Sequence, residues 1–227
     1  MYNVLRYYLK KSGDLSNQLA KILGCSRQGC EKTLVNKPFK EVVFLVTGNI
    51  HKFNEARLVL SEFGLSTAML SVDTVEIQAD DIEDVAKASA KDAARKCCLP
   101  IIVEDAGLFI EVFNGFPGPY SSYVFQTVGT KGILKLMEDM EKRSAFFESV
   151  VAFYSPKLNS PKCFHGKIEG RITEQISGVR GFGFDPVFLP EKGGGKTFAE
   201  MSIGEKNEFS HRAKALRRFA DWYVSKF

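Results

Sequence analysis

The sequence predicts an α/β protein, a mixed central sheet flanked by helices with a small helical extension at its N-terminus. Three observations lead there. Between residues 41 and 140, short β-branched apolar runs alternate with stretches of helical periodicity. Two later segments, "SAFFESVVAFYS" and "KCFHGKIEGRIT", alternate in the manner of paired antiparallel strands. The first forty residues fit neither pattern. With 227 residues, 44% hydrophobic and 26% charged, the chain has room for one such domain, residues 41–227, and an appendage, residues 1–40.

In the appendage, "LRYYLKK" predicts an amphipathic helix with Leu5, Tyr8 and Leu9 on one face. "LAKILGCSRQGCEKTL" has the spacing of a helix-turn-helix, with Ser26 capping the second helix. That spacing opens a second functional class, a nucleotide-sensing regulator that binds DNA through this segment. The mild net charge of +4 supports it, while against it stand the lack of an evident wing and few basic residues on the second helix, chiefly Arg27 and Lys32. "NKPFK" reads as the linker, because the residue before Pro38 is pushed out of helical geometry.

From Glu41 the α/β pattern begins. "VVFLV" is a buried strand by its length and β-branching. Residues 51–63 form a helix with Phe53, Ala56, Leu60 and Phe63 on one face. "STAMLSV" (66–72) is a second strand, and residues 82–97 a helix whose Val85, Ala86, Ala90 and Ala93 allow close packing. "PIIVED" (100–105) is another buried strand, ending in two carboxylates. A Gly- and Pro-rich loop (113–123) and a helix (129–140) lead into the antiparallel pair. The terminal "SHRAKALRRFADWYVSKF" is an amphipathic helix with Ser210 as its N-cap and Ala213, Leu216, Phe219 and Tyr223 facing inward.

Chemistry gathers at three places. The turn Thr47-Gly48-Asn49 between a strand and a helix can offer N–H groups to an anion at the positive end of the helix dipole, with Lys52 adding a charge. Glu55 is out of place beside a phosphate unless it orients Lys52, the favoured reading, or serves a metal. The Walker pattern is absent, and "GGGKT" near residue 195 lacks its first glycine. Glu104 and Asp105 repel one another unless a divalent cation or a raised pKa relieves them, and Glu76 in "TVEIQADD" adds a further oxygen donor. Asp80, Asp81 and Asp84 read as helix-capping acids. Lys196, Lys206, His211 and Arg212 form a cationic group. Two of them sit in the first turn of a helix, which is unfavourable unless an anion lies there. "GVRGFGFDPVF" adds Phe182, Phe184 and Asp185, an aromatic-and-acid combination suited to a base. Together these describe a nucleoside triphosphate site with water as the nucleophile.

The ordered segments "TGNIHKFNE", "EDAGL", "FPGPYSS", "GFGFDPVF", "TFAEM" and "KNEFSHR" resemble the inosine triphosphate pyrophosphatase (Ham1) family from about Val42 to the C-terminus. The resemblance implies an elongated α/β fold with two lobes around a long mixed sheet and a central cleft, usually a homodimer, while the cysteine usage predicts a cytoplasmic protein. It implies Mg²⁺-dependent hydrolysis of ITP, dITP and XTP to monophosphate and pyrophosphate, with Mn²⁺ as a substitute metal. Carried across, Thr47, Gly48, Asn49 and Lys52 hold phosphates. Glu76 and Asp105 face the metal, and Asp105 activates water with Glu104 beside it and Lys52 stabilising charge. Phe184 stacks on the base, while Asp185, Lys206, His211 and Arg212 read its edge and hold the nucleotide. Lys196 is left without an assigned part. Two departures stand out: Phe184 replaces the Tyr or Trp common at its position, and "SYVFQ" lacks an arginine that many members carry there.

No apolar run reaches the roughly 18 residues of a membrane span, and the N-terminus lacks the order of a signal peptide. Five cysteines, odd in number and without a C-x-x-C pair, predict reduced thiols rather than a zinc site.

Overall fold

A computed structural model describes residues 42–156 and 158–226. The helical extension and its helix-turn-helix reading lie outside the described residues. Seven strands form one mixed sheet. Strand β1 (Val42–Val46) pairs in parallel with β2 (Ser66–Leu70) and with the start of β3 (Ile101–Ile110). On the other edge of β3 runs β5 (Ser144–Tyr154), antiparallel along its full length. Then come β6 (Lys162–Ile172) and β7 (Phe188–Pro190), each antiparallel to its neighbour.

The alternation of β1 explains why a continuous apolar run is needed. Val43 and Leu45 face helices α1 (Ile50–Ser61) and α6 (His211–Lys226), packed with Val59, Leu60, Leu216 and Phe219. Phe44 and Val46 face α2 (Ile82–Cys97), where Ala86, Ala90 and Ala93 let the helix lie close. A strand covered on both faces has no solvent side to leave polar. The far half of the sheet has its own core, in which Leu108, Ile110 and Phe147 meet Phe184, Phe188 and Phe198. There β4 (Pro117–Gly118) leads through α3 (Ser121–Thr127) to α4 (Gly129–Leu136). The short α5 (Ile203–Phe209) precedes α6.

One expectation is corrected by the length of β3. Glu104 and Asp105 do not close a strand; they lie in the middle of one. What ends there is the neighbour. The last β1 partner of β3 is Val103, and β4 takes up the same strand only at Leu108 and Phe109. The two acids therefore sit where the sheet changes partners, and the opening that the sequence suggested comes from β1 stopping. Gly107 makes the change of partner possible: a Cβ there would lie 2.3 Å from the Gly118 carbonyl oxygen.

The other elements agree with the sequence to within a few residues. The second strand stops at Leu70 and the helix after Gly129 at Leu136, short of the expected 72 and 140. Asp81 caps α2 by accepting from the Glu83 amide at 2.7 Å. Ser210 Oγ accepts from the Ala213 amide at 3.2 Å, so it caps α6 as its position predicted.

Candidate functional site

A cleft of about 930 Å³ opens where β1 ends. Thr47, Gly48, Lys52, Glu76, Glu104 and Asp105 line it, with Tyr120 and Tyr123 among the residues on its rim. Five segments of the sequence thus converge on one cavity. The glycine turn is organised more by itself than by an open anion seat. Asn49 Oδ1 accepts from the amides of His51 (2.8 Å) and Lys52 (3.3 Å), and Thr47 Oγ1 accepts from the Asn49 amide (3.1 Å). Of the three turn amides expected to hold phosphate, that of Thr47 donates to the Leu70 carbonyl at 3.0 Å and that of Asn49 to Thr47 Oγ1, which leaves the side chains of Thr47 and Lys52 and the Gly48 backbone on the cleft.

Lys52 reaches across to β3. Its Nζ donates to the Glu104 carbonyl oxygen at 3.1 Å and lies 3.2 Å from Glu104 Oε2 and 3.9 Å from Asp105 Oδ1. The two neighbouring acids then part company. Burial pushes the Asp105 carboxyl up, and the charges of Glu104 and Glu76 add to this against the opposing pull of Lys52. Burial would raise Glu104 as well, but Arg212 and Lys52 outweigh it and hold that carboxyl well below the usual range. Ser149, fully buried on β5, donates to Glu104 Oε1 at 2.5 Å. Glu104 is a fixed anion, and Asp105, whose side chain is 27% exposed, is the group of the pair that can exchange a proton.

Behind Glu104 lies a charge network that the sequence did not reveal. Arg212 Nε stands 3.0 Å from Glu104 Oε1, an ion pair without hydrogen-bond alignment, and Nη1 donates to Glu55 Oε2 at 2.6 Å. Lys206 Nζ donates to the other Glu55 oxygen at 2.9 Å and to Asp185 Oδ2 at 2.7 Å. Asp185 in turn accepts from the Phe182 amide at 3.0 Å. All four side chains are about 3–4% exposed. Glu55 therefore partners Lys206 and Arg212, correcting the expectation that it orients Lys52, a task that falls to Glu104. The signal was available: Glu55 shares the apolar stripe of α1 with Ala56, Val59 and Leu60, where an unpaired acid would be costly.

The misplaced cations at the start of α6 also find their anions within the protein, since Arg212 is met by Glu55 and Glu104. His211 is buried and stacks on Phe147 with centroids 4.7 Å apart. Burial first, then Arg212 and Lys206, push its pKa well below the ordinary value, so it is neutral. His211 faces Phe147 from within the core and, like Asp185, Lys206 and Arg212, is not among the residues that line the cleft. Lys196 pairs with Glu205 at 3.2 Å on the surface, away from this group.

The two aromatics of "GFGFDP" differ in burial. Phe184, expected to stack on a base, is 3% exposed and packs its edge against Phe125 in the far core. Phe182 is the half-buried ring, with Lys206 Nζ and Arg212 Cζ 5.2 and 5.3 Å from its centroid. Two phenylalanines separated by one glycine on a loop differ in burial, and only the packing reveals which one faces outward.

Among the described residues no group of three or more His, Cys, Asp or Glu stands close enough to hold a metal. Glu76 and Asp105 do share the cleft, and the charge of Glu76 makes a small addition to the rise that burial imposes on the Asp105 carboxyl. Two carboxylates fit a magnesium ion that takes its remaining ligands from water and substrate phosphates.

Fold and site together define an α/β protein with an open cleft lined by acids and a lysine, joined to a buried ion network. The chain belongs to the Ham1 family, whose model matches residues 43–222. A dITP/XTP pyrophosphatase of Methanopyrus kandleri is 50% identical over 181 residues, which span 80% of this chain and 95% of the relative. A dITP/XTP pyrophosphatase of Hyperthermus butylicus is 48% identical over 181 residues, 80% and 94% of the two chains. Among solved structures, a HAM1 protein from Coxiella burnetii superposes with a TM-score of 0.72 at 29% identity, covering 81% of this chain and 98% of its own.

Proposed function

We propose that this protein hydrolyses aberrant purine nucleoside triphosphates, dITP, ITP and XTP, to the monophosphate and pyrophosphate. The observation that carries the reading is the cleft itself, in which Lys52 lies against Glu104 and Asp105 beside the Thr47-Gly48 turn. The similarity to relatives named dITP/XTP pyrophosphatase supports the substrate class.

The triphosphate lies along Thr47, Gly48 and Lys52. The Asp105 carboxylate takes the proton of a water that attacks the α–β anhydride, a role suited to an acid whose pKa burial raises above the ordinary value. Lys52 stabilises charge developing on the phosphate oxygens, and Glu104, held ionised by Arg212 and Ser149, keeps Lys52 in place. Magnesium, with manganese as its substitute, would be held by Glu76 and Asp105 and would supply charge neutralisation on the phosphates. Base recognition falls to the half-buried Phe182, backed by Asp185, Lys206 and Arg212. An N–H donor there satisfies a 6-oxo oxygen and cannot satisfy an amino group, which favours inosine and xanthosine over adenosine.

Further readings rest on this one. The catalytic unit is residues 41–227. The exposed Phe116, Tyr120, Tyr123, Phe125 and Val128 form the apolar surface on which a homodimer would close. Free Cys97, Cys98 and Cys163 accord with a cytoplasmic, reducing setting. The deciding experiment is incubation with Mg²⁺ and ITP, with the product identified. Pyrophosphate and IMP are expected; orthophosphate with IDP, or no turnover, defeats the assignment. Light scattering at micromolar concentration checks the dimer.

A further inference from the structure

The ring assigned to the base is already covered. His51, the second residue of α1, lies over Phe182 with centroids 5.4 Å apart and planes 19° apart. This offset, near-parallel stack is the arrangement that a purine would adopt on the same ring. A gap of 5.4 Å between centroids leaves no room for a base between the two rings.

The position of His51 follows from the helix. His51 and Glu55 are four residues apart, so they project from the same face of α1 one turn from each other. Glu55 anchors that face by binding Lys206 and Arg212, the two cations next to Phe182. With Glu55 fixed beneath the loop, the imidazole one turn earlier comes down onto Phe182. The next residue, Lys52, points about 100° round the helix to Glu104 in the cleft. One helical turn therefore serves the phosphate side with Lys52 and the base side with His51.

We propose that His51 occupies the base seat of the free protein and that a purine binds by displacing it. The inference rests on the nucleotide reading given above. The side chain is exposed, so it can swing into water without opening the core. The closed state lowers the apparent affinity for a ligand that carries a base by the fraction of molecules that are open. A ligand of phosphates alone, which needs only Thr47, Gly48 and Lys52, meets no such barrier.

Two probes without the α–β anhydride of a nucleoside triphosphate test this: inosine monophosphate, which carries a base, and inorganic pyrophosphate, which carries none. The chain has three histidines, so the His51 ring signals can be assigned in NMR spectra by comparison with His51→Ala. They should move on adding inosine monophosphate and stay in place on adding pyrophosphate. His51→Ala should bind inosine monophosphate roughly 2–10-fold more tightly, the factor that an aromatic stack is worth, with pyrophosphate affinity unchanged. His51→Phe, which restores a stacking ring, should return inosine monophosphate affinity to the wild-type value. Equal or weaker binding of inosine monophosphate by His51→Ala overturns the proposal, as do His51 signals that stay still while it binds. If neither protein binds inosine monophosphate, the nucleotide reading fails, and the inference with it.

Discussion

Replacing Glu55 by glutamine removes one charge from the buried network while keeping its shape. Wild-type Glu55 is 3% exposed and accepts from Lys206 at 2.9 Å and Arg212 at 2.6 Å. Breaking a buried ion pair on one side costs about 3–5 kcal/mol. The low end applies here, because Lys206 keeps Asp185 at 2.7 Å and Arg212 keeps Glu104 at 3.0 Å. For a protein of this size each kcal/mol lowers Tm by about 2–4 °C, so Glu55→Gln should melt about 6–12 °C lower. The control is Glu62→Gln, which breaks a pair with Arg217 that is also well aligned, at 2.9 Å to both oxygens, but 44% exposed on the acid side. That change should cost under about 1 kcal/mol. Calorimetric or circular-dichroism melts at neutral pH measure both. The difference from wild type should also narrow in acid. Burial alone would raise the Glu55 pKa, but Arg212 and Lys206 bring it below the ordinary 4.5, so its contribution is full above 4.5 and is lost as pH falls through the lowered value. Equal melting temperatures for the two variants would refute the view that burial, rather than pair geometry, sets the energy.

Asp105→Asn should lower kcat by roughly 10²–10⁴ with little change in Tm, and near-wild-type turnover would remove Asp105 from the chemistry. The two phenylalanines should separate cleanly. Phe184→Ala should cost about 3–5 kcal/mol in urea unfolding, whereas Phe182→Ala should raise KM for ITP while leaving stability near wild type. Because His211 is held neutral, the unfolded chain binds a proton below about pH 6.5 that the folded chain does not. Unfolding free energy should therefore fall by about 1.4 kcal/mol per pH unit between pH 6.5 and 5, and His211→Phe should flatten that slope.

Much of the fold was legible because it is written in local patterns. The run Val42–Val46, the small-residue face of α2, the alternation of β5 and β6 and the cap at Ser210 all follow from periodicities of two or 3.6 and from short-range hydrogen bonds. The members of the cleft were legible as motifs, and Lys52, Glu76, Glu104 and Asp105 do share one cavity. What escaped was decided by distant neighbours. Nothing local to "PIIVEDAGLFI" says that β1 stops beside Val103 while β3 continues. Glu55 and Lys206 are 151 residues apart, and their pairing depends on how α1 meets α5. The unequal burial of Phe182 and Phe184 likewise depends on Phe125 and the far core filling one side of the loop.

The first turn and a half of α1 has a consequence for how chain length can vary in this protein. Asn49 caps the helix, His51 meets Phe182, Lys52 meets Glu104, and Glu55 meets Lys206 and Arg212, all within seven residues. The contacts are divided around one helical axis, with His51 and Glu55 on one face and Lys52 about 100° from His51. An inserted or deleted residue here would rotate the upstream side chains by about 100° and break several of these contacts together, whereas the irregular segment 71–81 carries Glu76 outside any helix or strand. Length changes are therefore expected to be tolerated around Glu76 and rejected between Gly48 and Glu55, so that this short turn behaves as a fixed ruler against which the rest of the cleft is set.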